Sequence, residues 1–139
     1  MNPLNDIFES ILKKNHLSIT NQRKQIFDSI TKLSPTSTST LINDLTQIDR
    51  ATIYRTIDLY IKLKVIKKIY IGFKYKLELS DLFSSHHHHF YCIKCHQIID
   101  FDEPDDLDNL INNLSLKYSF KSTEHRLEIN GLCQKCKEV

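Results

Sequence analysis

At 139 residues, 40% of them hydrophobic and 26% charged, the chain has room for one ordinary domain or two small ones and the composition of a globular protein. No apolar run approaches the roughly 18 residues a membrane span needs, and no leader-like stretch opens the chain, so a cytoplasmic, reducing setting without a membrane is expected. The formal net charge of +2 is unevenly placed: residues 1–70 carry 11 Lys/Arg against 6 Asp/Glu, and residues 71–139 carry 8 against 11. A basic first half points to nucleic acid and an acidic second half to cations.

In chain order, residues 4–15 place Leu4, Ile7, Phe8, Ile11 and Leu12 at helical spacing. Thr20 is an N-cap for a second helix over 21–33, with Ile26, Phe27, Ile30 and Leu33 as its buried stripe. Ser34-Pro35 ends it. The polar run PTSTST begins as a flexible loop, and its last Ser or Thr caps a third helix carrying Leu41, Ile42 and Leu45. Asp49 caps a fourth helix, RATIYRTIDLYIKL, in which Ile53, Ile57 and Ile61 face the core. Arg50, Thr52, Tyr54 and Arg55 crowd its N-terminal end, as on a helix that reads a major groove; a solvated basic face is the plainer alternative. Residues 65–79 read as two strands around a turn at Gly72, decorated by Lys67, Lys68, Lys74 and Lys76. After a helix-turn-helix, such a hairpin is a wing, where lysines meet phosphates.

The second half reads as strand, strand, helix and strand. HHHHFYC and QIIDF are the first two. The helix DEPDDLDNLINNLSLKY carries Leu107, Leu110, Ile111, Leu114 and Leu116, and SFKSTEHRLEINGLC alternates enough for one long strand. A half this small cannot cover both faces of its sheet, so a partner copy or a metal must help.

Two C-x-x-C pairs, Cys92/Cys95 and Cys133/Cys136, are the chain's only cysteines. Four thiolates complete a tetrahedron around zinc and leave no open position, which makes a structural site. Two disulfides or a redox pair are the alternatives, and the compartment argues against the disulfides. Four consecutive histidines precede the first pair. Along a strand, His87 and His89 share one face, and His86 and His88 share the other.

Together these residues resemble the ferric uptake regulator family of metal-dependent transcription factors. ITNQR at 19–23, ATIYRTI at 51–57, HHHHFYCIKC with IIDF, and EHRLEINGLCQKC carry the resemblance. It implies an α+β protein: an N-terminal winged helix-turn-helix domain, residues 1–80, and a small C-terminal α/β dimerisation domain, residues 81–139, with the four-cysteine zinc site. It implies a regulatory Fe2+, Zn2+ or Mn2+ held by Glu78 (Asp81 as fallback), His87, His89 and Asp100. A further site is implied from His86, His88, Asp108 (or Asp106) and His125. DNA contacts are expected from Lys14, Arg23, Arg50, Thr52, Tyr54, Arg55 and Lys67. The partners implied are a double-stranded DNA operator and a second copy of the chain, with no small-molecule substrate.

Two positions depart from the family pattern. The region LSPTSTST lacks the histidine often found at the start of the third helix, leaving His16 as the only imidazole in the N-terminal half. His96 replaces a glycine after the first C-x-x-C, where φ > 0 is often required, and reads as a surface residue or a spare ligand. Zinc uptake regulators and peroxide sensors of the same family are the alternative readings. A metallohydrolase would need an open zinc position and a base, and no such motif is present. A zinc-knuckle interaction module would leave the basic helix idle.

Overall fold

The computed structural model describes residues 2–71 and 73–138, and the chain divides into two compact units, Met1–Ser85 and His86–Val139. The first unit contains α1 (Pro3–Lys14), α2 (Asn21–Leu33), α3 (Thr38–Asp44), α4 (Arg50–Lys62), β1 (Ile66–Ile71) and β2 (Lys74–Leu79). Each helix starts where a side chain satisfies a free backbone N–H: Asn2, Thr20, Ser37 and Asp49 accept from Leu4, Arg23, Thr40 and Thr52 respectively. The third cap is therefore Ser37, earlier in the polar run than its last Ser or Thr.

The buried set of this unit is Phe8, Leu12, Ile26, Phe27, Ile30, Leu41, Ile48, Ile53, Ile57, Tyr60, Val65, Ile66 and Leu77. Phe8 stacks on Phe27 with ring centroids 4.2 Å apart and meets Tyr60 edge-on at 5.5 Å. At about 1.5–3 kcal/mol per fully buried large apolar side chain, this set is the main hydrophobic stabilisation of the unit. In α4, Ile53 and Tyr60 are fully buried, Ile57 nearly so, and Ile61 packs against them partly buried. The Tyr60 hydroxyl donates to the Arg23 carbonyl at 2.6 Å, which satisfies the one polar atom the ring carries inside. Burial also pushes its phenol above the ordinary value.

The hairpin β1–β2 is antiparallel, with Tyr70 opposite Tyr75 and Lys67 opposite Glu78. Gly72, the expected turn residue, lies outside the described residues. The start of the polar run is anchored rather than loose. Thr36 is buried and exchanges both backbone hydrogen bonds with Leu77, at 2.8 and 2.7 Å. A polar stretch gave no sign of this pairing, because it is made by backbone.

The second unit contains β3 (His87–Cys92), β4 (Ile98–Asp102), α5 (Asp105–Lys117), β5 (Glu128–Gly131) and the single turn α6 (Gln134–Lys137). Its sheet runs β4-β3-β5, antiparallel on one side of β3 and parallel on the other. The long final strand expected over SFKSTEHRLEINGLC is confined to β5. Residues 120–127 are irregular, with their polar side chains mostly exposed. No residue of α5 is buried. Among the described residues, no helix is long and apolar enough to cross a membrane.

Candidate metal centres and nucleic-acid interface

The strand periodicity divides the histidines as its geometry requires. His87 and His89 lie on one face of β3 with ring centroids 4.9 Å apart, and His86 and His88 pair at 4.8 Å on the other. The face of His88 also carries Phe90 and Cys92, so β3 feeds a different group of donors at each end of one surface.

At the C-terminal end of β3, the sulfurs of Cys92, Cys95, Cys133 and Cys136 all lie within 4.8 Å of one another. None is in a disulfide. A tetrahedral zinc with bonds of about 2.3 Å needs sulfurs about 3.8 Å apart, and Cys95 Sγ sits 3.6 Å from Cys133 Sγ. The backbone presets the donors. The N–H groups of Cys95 and Cys133 donate to Cys92 Sγ at 3.5 and 3.4 Å and pull that thiol down to about 5. The N–H of Cys136 holds the Cys133 thiol below its ordinary value. The Cys133 side chain and burial push Cys136 up to about 12. Cys95 is also raised: Cys92, burial and Cys133 outweigh the lowering by the Gln97 N–H. Four thiols this close cannot all ionise without a cation among them, and a divalent metal is the cation that suits them. His96 does take φ 67°, its Nδ1 meets the Tyr91 hydroxyl at 2.5 Å with the rings stacked, and it is not one of the residues of the four-cysteine cluster.

At the other end of β3, His86, His88, His125 and Glu103 present donor atoms within 4.8 Å of one another. Glu103 Oε1 is 3.1 Å from His88 Nε2 and 3.3 Å from His86 Nε2, and it also meets His125 Nε2. Burial raises the Glu103 carboxyl, but hydrogen bonds from His88 and His125 and the charges of His125 and His86 outweigh it and hold the group below its ordinary value. The Nε2 atoms of His86 and His125 face each other at 3.3 Å. Three imidazole nitrogens converging on one carboxylate oxygen suit a borderline divalent ion. The acid differs from the expected Asp108 or Asp106. Both stand exposed in the first turn of α5, and neither belongs to the cluster. The register could have found Glu103: His88 pairs with Phe101, and period two places residue 103 on the same face.

On the opposite face, His89 pairs with Asp100 and His87 with Asp102. His89 Nε2 lies 3.5 Å from Asp100 Oδ1. Glu78 sits on β2 of the first unit, where Lys67 Nζ reaches it at 3.5 Å and Asp81 at 2.8 Å. Lys67, expected to meet phosphate, is thus engaged by two carboxylates. His16 closes α1 with φ 59° and is exposed.

The remaining expected DNA contacts belong to the first unit. Asp49 accepts from the Thr52 hydroxyl at 2.7 Å and its N–H at 3.1 Å, bonds that hold its carboxyl below the ordinary range. Arg55 in turn donates to the Thr52 hydroxyl at 3.4 Å, which steadies its guanidinium at the helix start. Arg50, Tyr54 and Arg55 are exposed, although the core side of the same helix is sealed. Arg23 donates to the Ser18 carbonyl at 2.6 Å. It shares with Arg55, Thr20 and Thr52 a polar cleft of about 480 Å³. Lys14 is exposed in the last turn of α1.

Comparison with known proteins agrees with this arrangement. The model of the ferric uptake regulator family matches residues 14–130. A ferric uptake regulation protein of Campylobacter upsaliensis is 31% identical over 141 aligned positions, covering 93% of this chain and 86% of that one. One from Bacillus subtilis (strain 168) is 34% identical over 93 residues, covering 65% of this chain and 61% of that protein's length. The fold is that of the solved Helicobacter pylori ferric uptake regulator, described as having three functional metal binding sites. The match has a TM-score of 0.81 at 23% identity over 99% of this chain and 96% of the other. With a family match that spans most of its length, the chain belongs to the ferric uptake regulator family.

Proposed function

We propose that the protein is a metal-responsive, DNA-binding transcriptional repressor that works as a homodimer in the cytoplasm and controls genes of iron uptake or metal homeostasis, without enzymatic activity. One observation carries this reading. A capped helix with exposed Arg50, Tyr54 and Arg55 stands on a unit with its own core, and the other unit of the same chain gathers two clusters of metal donors.

Zinc in the four-cysteine cluster is structural, because four thiolates close its coordination shell. The regulatory ion, Fe2+, Zn2+ or Mn2+, takes His87, His89 and Asp100 from the second unit and Glu78 from the first. Ligands drawn from both units let the ion bind one arrangement better than others and so shift the population toward the DNA-competent one. His86, His88, Glu103 and His125 hold a further ion. Arg55 and Tyr54 read base edges in the major groove, and Lys14 meets phosphate. Homodimer formation is supported by an exposed apolar row across the sheet, Ile99, Phe90 and Ile129, and by the exposed Leu110 and Leu114 of α5.

The test is to select a bound duplex from a random-sequence pool in the presence of Mn2+. The duplex is then titrated with protein stripped of loosely held metal, and again with each candidate ion restored. At least one ion should raise the affinity while the tightly held zinc stays at one per chain. Equal affinity with and without every ion would overturn the reading.

A further inference from the structure

We propose that Lys67 is a built-in competitor for the regulatory ion at Glu78, and that Asp81 is a positioning residue that takes over the Lys67 ammonium when the ion binds. The inference rests on the regulatory-site reading above and names two residues that set the affinity of that site.

All three residues lie in the first unit. The Glu78 carboxylate has almost no access to water, its side chain being 5% exposed. A charge so placed is costly unless a cation stands beside it. The hairpin supplies one: Lys67 is the cross-strand partner of Glu78, so the two side chains rise from the same face. Lys67 Nζ lies 3.5 Å from Glu78 Oε1. A carboxylate with an ammonium already set against it also suits a divalent ion, because both answer the same negative charge. The root of the hairpin is fixed independently of this pair. Ile66, Ile69 and Leu77 are buried, and Leu77 exchanges backbone hydrogen bonds with Thr36.

The turn after β2 brings in a second carboxylate. The Ser80 N–H donates to the Val65 carbonyl at 3.0 Å, and the Phe83 N–H donates to the Ser80 carbonyl at 3.0 Å. Between these two bonds Asp81 accepts from Lys67 Nζ at 2.8 Å. The Asp81 side chain is 43% exposed. The ammonium thus makes its shorter contact to the carboxylate that water already serves, and its longer one to the buried carboxylate. A divalent ion on Glu78 and an ammonium beside it repel each other at close range. Either the ion stays out or the ammonium leaves, and Asp81 lets it leave without losing its counter-charge. Lys67 therefore raises the metal concentration at which the site fills, and Asp81 lowers it. An ion pair that only pinned the hairpin would change stability and leave metal affinity alone.

The full-length, zinc-loaded protein is titrated with Mn2+ against a fluorescent chelator. No DNA is present, so a phosphate contact of Lys67 does not enter the result. The Mn2+ step absent from His89→Ala marks the regulatory site. At that step Lys67→Gln should bind Mn2+ about tenfold more tightly and Asp81→Asn roughly threefold more weakly. Lys67→Arg keeps the charge and should stay near wild type. In the double variant Lys67→Gln/Asp81→Asn the Asp81 penalty should vanish, because no ammonium is left for it to hold. Unchanged or weaker Mn2+ binding in Lys67→Gln, with the amide protection of α2 and α4 intact, would overturn the inference and leave Lys67 an ordinary ion pair. A penalty that persists in the double variant would overturn the role of Asp81 and make it a ligand itself. If His89→Ala loses no Mn2+ step, the regulatory-site reading fails and this inference fails with it.

Discussion

The two units solve the problem of stability in opposite ways. Every buried aliphatic and aromatic side chain of the described residues belongs to the first unit; in the second, Cys92, His88 and His89 are the buried side chains. Many apolar residues of the second unit, among them Phe90, Ile99, Leu110, Leu114 and Phe120, stand exposed, and the others are at most half-buried apart from Cys92. The first unit is therefore a domain held by its own core. On the proposed function, the second draws its order from the ions its donors gather and from a partner covering its apolar row. A sensor benefits from this division, because the part that must respond to metal is the part whose order metal supplies.

Removing the structural zinc should have the largest effect and break the comparison most openly. Cys133→Ser, or prolonged chelation, should release one zinc per chain and abolish the cooperative melting of residues 86–139, while the amide-exchange protection of α2 and α4 persists. Retention of both zinc and melting temperature in Cys133→Ser would remove the four-cysteine assignment. Next is the mirror experiment. Phe27→Ala should cost the first unit about 3–5 kcal/mol, read from its denaturation midpoint, with no change in zinc content. Loss of zinc in that variant would show the units to be less independent than described.

Arg55→Ala should weaken binding to the selected duplex by roughly 1–3 kcal/mol at fixed salt without altering metal content or melting. Glu103→Gln should remove one bound metal equivalent from the His86/His88/His125 cluster in a competition titration and leave the cysteine zinc in place. Asp108→Asn should not, because that residue lies outside the cluster. The smallest effect is at His16. His16→Gly should leave metal affinity unchanged and shift stability by less than about 1 kcal/mol, toward greater stability, because glycine accepts the positive φ at no steric cost.

What could be read in the sequence follows the same division. Helical spacing located α1, α2 and α4, and the caps Thr20 and Asp49 were legible because each acts on its own next turn. Period two placed His87 with His89 and His86 with His88 for an equally local reason. Two features depended on partners distant in sequence and were missed, the Thr36–Leu77 bridge and the placing of Glu103 rather than Asp108 among the histidines; the irregular path of residues 120–127 was missed as well. Lys67 has partners of its own that its spacing did not show. Its basic pattern suggested phosphate, and only the tertiary structure brings Asp81 and Glu78 to it. Ile61 packs against the core as its spacing indicates, and Tyr60 joins it there, fully buried, with its hydroxyl donating to the Arg23 carbonyl, a partner 37 positions away.

The central claim is that a metal held by His87, His89, Asp100 and Glu78 switches DNA binding. The most direct measurement is the anisotropy of the selected duplex titrated with wild type and His89→Ala, each with and without the activating ion. Zinc content and sedimentation are followed on the same samples. Wild type should bind tightly only with the ion, and His89→Ala should bind weakly in both conditions while keeping its zinc and its dimer. If His89→Ala shows the wild-type metal dependence, the switch does not lie there, and the account is contradicted.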